Sequence, residues 1–203
     1  MKLYYSPGAC SMASHIILNE VGQPFTIEKV NLRSKETETG ADYRKINVRG
    51  AVPALMVDNG EVLTEGAAIL QYIADTAGAI DLAPPTGTMA RARVQEMLNY
   101  VASEVHKAYS PLFAPNQPDE IRAANLANVA RKLVWMETVL SDGRPFLTGQ
   151  NFTVADAYAF VVVGWSPMLG VDLAAFPNLS AFLARVGERP SVAKTLKAEG
   201  LAA

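Results

Sequence analysis

Residues 2–22 read KLYYSPGACSMASHIILNEVG, and the rest of the chain is organised around them. Leu3–Tyr5 is a short aromatic-rich run that suits a strand, and Ser6-Pro7-Gly8 is a turn cluster. Ala9, Ala13, Ile16, Ile17 and Val21 then recur at spacings of three to five, which predicts a helix with one buried face, stopped by Gly22. The order strand, tight loop, helix puts the only cysteine, Cys10, at the mouth of that helix. A helix N-terminus carries unpaired N–H groups and partial positive charge, so a thiol there is biased toward thiolate and an anion there is favoured. The other reading of Cys10 is a small buried hydrophobe.

Working outward, Phe25–Val30 reads as a second strand, and two strands flanking a helix within about thirty residues make a parallel βαβ unit. A polar stretch, Asn31–Thr39, and a short helical candidate at Ala41–Ile46 follow. Next come a strand at Ala54–Val57, a tight Asp58-Asn59-Gly60-Glu61 turn and a strand at Val62–Thr64. Glu65-Gly66 opens a helix carrying Ala67, Ile69, Leu70, Ile73 and Ala74. The order βαβ, then ββα, is that of the thioredoxin fold. Pro53 at the start of an inner strand removes a ladder donor, which suits a strand start or a cis bond. Asp81–Gly87 is a linker rich in Pro and Gly. It separates an α/β part, residues 1–80, from an all-α part, residues 88–203. The second part should hold one long helix over Thr88–Ser110 and another reaching Leu140. A buried helix should follow the cap Thr153-x-x-Asp156, with two shorter helices from Pro177 and Ser191.

Eighteen basic and twenty acidic residues in 203 give a net charge of −2, so no basic field exists to hold nucleic acid or an anionic membrane. One cysteine makes no intrachain disulfide, and no His or Cys cluster has metal-ligand spacing. The longest apolar run, Ala157–Trp165, is nine residues and too short for a bilayer, and no signal peptide is read at the N-terminus. A cytoplasmic protein is expected.

A βαβ-ββα domain, Val52-Pro53, the segment Leu63–Ile69, an all-helical second domain and its Thr153-x-x-Asp156 cap together resemble a cytosolic glutathione transferase. Cys10 in the first βα loop and His106 in the first helix of the second domain resemble the bacterial beta class. The resemblance implies glutathione as co-substrate, no metal, a small hydrophobic electrophile as second substrate, and a homodimer. It places the γ-glutamyl end at Glu65-Gly66, although many relatives carry Ser at the second position. Val52, beside Pro53, would exchange backbone bonds with the cysteinyl part, and Lys35 would meet the glycyl carboxylate. Arg91, Gln95, Asn99, Ser103 and His106 align as one polar stripe, which spacing alone reads as a solvated face. The resemblance instead lines the cleft with Asn99 and the Ser103-Glu104-Val105-His106 turn, partly across a dimer interface.

In that frame Cys10 either donates its S–H to the bound thiolate or forms a mixed disulfide, supporting thiol transfer or peroxide reduction. His106 favours the thiolate or shuttles protons, and Ser11 and Tyr5 are reserve donors. Tyr109, Phe113 and Trp165 are candidates for the apolar second site, although large aromatics at these spacings more often belong to the core, and His15 is read as structural. Two alternatives stand beside conjugation: a non-catalytic stress or interaction protein of the same fold, and a glutathione-dependent isomerase or dehalogenase.

Overall fold

In a computed structural model, which describes residues 1–202, a five-stranded mixed sheet occupies the first part of the chain. Its strands are β1 (Lys2–Tyr5), β2 (Thr26–Asn31), β3 (Glu36–Thr37), β4 (Ala54–Met56) and β5 (Val62–Thr64), in the order β3-β2-β1-β4-β5. Strands β1 and β2 pair in parallel, Leu3 opposite Ile27, while β4 runs antiparallel to β1 and to β5. The two-residue β3 lies in the stretch that reads as merely polar. Its backbone pairs with Val30 and Asn31, a partnership that leaves no hydrophobic period in so short a strand.

Successive side chains of β1 take opposite faces of the sheet. Leu3 and Tyr5 join a core with α1 (Ser11–Val21) and α2 (Gly66–Thr76), while Tyr4 packs with Val30, Tyr43, Val52 and Ala54 in a smaller cluster behind. Helix α1 ends where its period predicts. Gly22 takes φ +68°, a conformation that costs a residue with a Cβ, and its N–H closes on Leu18 O at 3.3 Å. The helical candidate at 41–46 narrows to one 3₁₀ turn, Tyr43–Lys45.

The regular elements described after the linker are helical: α3 (Met89–Tyr100), α4 (His106–Tyr109), α5 (Asp119–Leu140), α6 (Val154–Val163), α7 (Ser166–Leu169), α8 (Pro177–Gly187) and α9 (Pro190–Ala198). The long helix expected over 88–110 runs without a break from Met89 to Tyr109, but not with one uniform period. Residues Val101–Val105 form a π turn in which the His106 N–H donates to Val101 O, five residues back. One extra residue per turn rotates everything beyond it relative to α3, so the polar stripe does not stay on one face.

Helix α6 is buried along its length except at Phe160, and its start is fixed by Asp156. One carboxylate oxygen accepts from the Thr153 N–H (2.8 Å) and hydroxyl (2.9 Å), and the other accepts from the Leu147 N–H (2.8 Å). Burial pushes this carboxyl up from 3.8 to about 6 against those donors. Because the folded-state value is raised, its contribution to stability is complete below the unfolded value and is lost as pH rises through about 6.

Replacing Asp156 by Ala strands two buried N–H groups and is expected to cost ~2–6 kcal/mol, read as a fall in thermal midpoint of at least about 5 °C. Urea titrations from pH 4 to 7 should show wild-type stability declining relative to Asp156→Asn, because the amide has no proton to lose.

Candidate active site

Four elements meet around one cavity of about 290 Å³: the loop before α1, the chain entering β4, the start of α2, and the π turn running into α4. Hollows of about 370 and 590 Å³ lie elsewhere on the surface, but only this one joins the thiol, a histidine and a helix N-terminus. Among the expected site residues, Cys10, Val52, Pro53, Glu65, Gly66 and His106 line it together.

Cys10 sits at the N-cap of α1, and its S–H donates to Val52 O at 3.2 Å. Burial pushes the thiol up to about 11, outweighing the backbone N–H groups of Cys10 and Ser11 that pull it down. The thiolate bias expected from the helix terminus is therefore corrected: desolvation wins, and the group is a thiol at neutral pH.

Val52 precedes a cis proline, and its carbonyl faces the thiol. The loop behind it is braced at Ala51 O, which accepts from the Tyr43 hydroxyl and the Asn47 amide, each at 2.8 Å. The Lys35 ammonium donates to Gly50 O at 2.9 Å. A Cβ on Gly50, itself at φ +59°, would come within 3.1 Å of the lysine chain.

Glu65 is a non-glycine residue at φ +70°, a strain of about 1–3 kcal/mol that such sites hold through their surroundings. Its carbonyl accepts the first bonds of α2, and its exposed carboxylate pairs with Arg49 Nη1 at 2.6 Å, while Arg49 Nη2 donates to Thr64 Oγ1 at 2.6 Å. The leading N–H groups of α2, from Gly66 and Ala67, have no intrahelical acceptor. A Cβ on Gly66 would stand 3.9 Å from Pro53 Cγ and from Tyr158 Cζ, so the position has room for a side chain.

His106 lines the cavity with Nδ1 2.8 Å from the Tyr158 hydroxyl. Burial, then Lys107, holds its pKa below the ordinary value, against a smaller opposing pull from Glu65. Trp165 meets the ring at 5.1 Å, Phe113 meets Trp165 at 5.1 Å, and the Tyr109 hydroxyl bonds Ser166. Trp165 Nε1 also donates to Gly8 O at 2.8 Å, and the Gly8 N–H donates to Glu199 Oε2 at 2.9 Å. The other oxygen of Glu199 holds His15 Nδ1 at 2.9 Å, both side chains being buried, so His15 is a strut of the loop clamp.

Six of the expected residues do not line the cavity, each for a visible reason. Ser11 is fully buried, its hydroxyl exchanging bonds with Ser6 N–H and O to close the loop. Lys35 is occupied on Gly50 O, as above. Val105 points into the core, and Glu104 turns to Lys132 on α5. Asn99 and Ser103 are solvent-exposed, and Ser103 donates to Asn99 O at 2.9 Å. The π turn instead presents Ala102 and His106 to the cavity. Tyr5, the other reserve donor, is buried beneath the loop against His15. Arg91, at the head of the stripe, is buried on Asp75 and Gln71.

Sequence reasoning missed Arg49 and Tyr158. Arg49 reads as a strand lead-in, and its guanidinium finds Glu65 only when the two loops fold together. Tyr158 reads as one more large side chain in an apolar helix, and only its hydroxyl bond sets it apart. Among the described residues no group of three or more His, Cys, Asp or Glu could hold a metal ion, and no helix is long and apolar enough to cross a membrane.

With this geometry in hand, comparison with known proteins is specific. The family descriptions "Glutathione S-transferase, N-terminal domain" and "Glutathione S-transferase, C-terminal domain" match residues 8–76 and 100–190. Glutathione S-transferase GstA of Escherichia coli O157:H7 is 44% identical over 201 residues, covering 99% of this chain and 100% of that one. A solved sphingomonad glutathione S-transferase complexed with glutathione is 47% identical with a TM-score of 0.94, covering 100% of both chains. The beta class glutathione S-transferase of Sphingomonas chungbukensis is 46% identical at 0.95, again over 100% of both.

Because Cys10 is the only cysteine, the rate of thiol alkylation in the free protein reports it alone. Alkylation by iodoacetamide should be slow at pH 7 and should accelerate only as pH approaches about 11.

Proposed function

Because the chain belongs to the glutathione S-transferase family, in its bacterial beta class, we propose that the cavity holds glutathione along Val52 and directs its thiolate at a small hydrophobic electrophile. The protein is a glutathione transferase with the thioredoxin-like and helical parts of that fold, and glutathione is its co-substrate. The observation that carries the placement is the convergence of Cys10, Val52, Glu65 and His106 on one cavity.

Glutathione offers one amine, two carboxylates and one thiol. In our reading the γ-glutamyl carboxylate takes the free N–H groups of Gly66 and Ala67 at the positive end of α2. The amine takes Glu65, exchanging places with the Arg49 guanidinium. The cysteinyl amide pairs with Val52, and the sulfur then lies toward Cys10. Cys10 serves as S–H donor to that sulfur, its proton turning from Val52 O once the cysteinyl amide N–H takes that carbonyl, because the half-buried thiol is hard to ionise. The bound thiolate forms the new carbon–sulfur bond as the leaving group departs with its electron pair. The mixed-disulfide route, with its thiol-transfer and peroxidase side activities, needs a Cys10 thiolate and is disfavoured by the same burial.

We assign the electrophile to the apolar surface at Phe113 and the edge of Trp165; Tyr109, also expected there, is fully buried on Ser166 and belongs to the core. We assign the halves to residues 1–80 and 88–203 with 81–87 between them. Asn99 and Ser103, exposed on the outer face of α3 and the π turn, suit contact with a second copy in a homodimer. A cytoplasmic setting fits a lone free cysteine.

Calorimetric titration of glutathione into the protein should give one site per chain. Glu65→Gln should weaken it about tenfold or more, the loss of a charge-assisted bond being worth ~1.5–3 kcal/mol. In Cys10→Ala the affinity should persist while the ultraviolet thiolate titration of bound glutathione moves to higher pH. No heat on adding glutathione to the wild type would remove this reading.

A further inference from the structure

We propose that Tyr158 is a positioning residue whose hydroxyl donates to His106 Nδ1 and fixes the ring as its Nε2–H tautomer, making His106 a hydrogen-bond donor to sulfur in the cleft and not a base. The functional half of this proposal rests on the glutathione reading above, whereas the tautomer is a property of the free protein.

Tyr158 is 5% exposed, and the His106 ring nitrogen at 2.8 Å is the only hydrogen-bond partner of its oxygen among the described residues. If His106 donated through Nδ1, the phenolic proton would be an orphan within the protein, left to the cavity that Tyr158 also lines. Donation from the phenol leaves no such orphan.

Both groups are held neutral by the same cause. Burial pushes the phenol well above its ordinary value and the imidazole below its own. The charged or titratable groups around the ring do not reverse this. Lys107 disfavours imidazolium, Glu65 favours it less strongly, and Cys10 is a thiol. A neutral ring with Nδ1 engaged as acceptor carries its proton on Nε2, the nitrogen left for the cavity that His106 lines.

Packing holds the arrangement. Tyr158 meets the imidazole edge-on at 89° with centroids 5.9 Å apart, and Trp165 closes another side at 5.1 Å. An Nε2–H donor stabilises a thiolate at the sulfur position but has no lone pair to take the thiol proton, which therefore leaves to solvent. This chemistry complements the Cys10 S–H, so the cleft offers the sulfur two donors and no base.

The chain has two histidines, so ¹⁵N-histidine spectra of the free protein resolve the question, with His106→Gln assigning the signals. The wild type should show His106 protonated at Nε2 and bare at Nδ1, and Tyr158→Phe should show a mixture of tautomers. Phe keeps the ring that packs beneath Gly66, so folding is preserved. In the glutathione complex, Tyr158→Phe should move the thiol titration up by roughly half to one pH unit. The deficit in kcat/KM should close at pH above that titration, which a purely structural defect would not do. In a His106→Gln background the tyrosine substitution should have no further effect on the thiol. An Nδ1–H tautomer in the wild type, or an unmoved thiol titration in Tyr158→Phe, overturns the proposal. Failure of the wild type to bind glutathione overturns the functional half and leaves the tautomer result standing.

Discussion

The site depends on how Gly8 is held. Its N–H is taken by the buried carboxylate of Glu199 at the end of α9, and its carbonyl by the indole of Trp165 beside α7. Both partners belong to the helical half, more than 150 residues away along the chain, and both act on the loop that ends in Cys10. The thiol is thus positioned by the second half of the molecule although every atom of its own loop belongs to the first. His15 completes the clamp from within α1 by fixing the other oxygen of Glu199. A carboxylate with no exposure can be kept there only because both its oxygens are matched.

A second constraint is the burial of the cavity floor, and it sets the protonation of the thiol, the phenol and the imidazole there. Burial raises the Cys10 thiol and the Tyr158 phenol and lowers the His106 imidazole, so each prefers its uncharged form. The positive end of α1 acts in the opposite direction on Cys10 and loses, because a helix-terminus effect of about 0.3–1 kcal/mol is smaller than the desolvation of a thiolate. Charge remains at the exposed rim, where Arg49 and Glu65 pair and Lys107 adds a further cation. The cavity therefore has an ionic mouth and a neutral, donor-lined floor, an arrangement that stabilises negative charge on an arriving sulfur without placing a like charge beside it.

Particular residues show where the sequence was legible. The aromatic strand, the turn and the period of Ala13, Ile16 and Ile17 gave β1 and α1 within a residue or two, because local sterics and one-sided burial write themselves at short range. The same holds for the Asn59-Gly60 hairpin and for Thr153 and Asp156 at the head of α6. The convergence of Cys10, Val52, Glu65 and His106 came from resemblance, since those positions share no local pattern. Asn99 and Ser103 are exposed, as the helical period alone reads them, and that period had no means of registering the π turn at Val101–Val105.

By itself the amino-acid sequence determined most of the elements and their order, the buried faces of α1 and α2 and the single thiol at a helix start. Those features follow from backbone geometry and from the free energy of removing apolar side chains from water, both of which act between near neighbours. Only the tertiary structure decided that Cys10 is a thiol, that Arg49 screens Glu65, that Lys35 and Ser11 are braces, and that Tyr158 governs His106. Each of those outcomes depends on desolvation or on a hydrogen bond between residues far apart along the chain. Such terms have no value until the fold brings the partners together and expels the water between them.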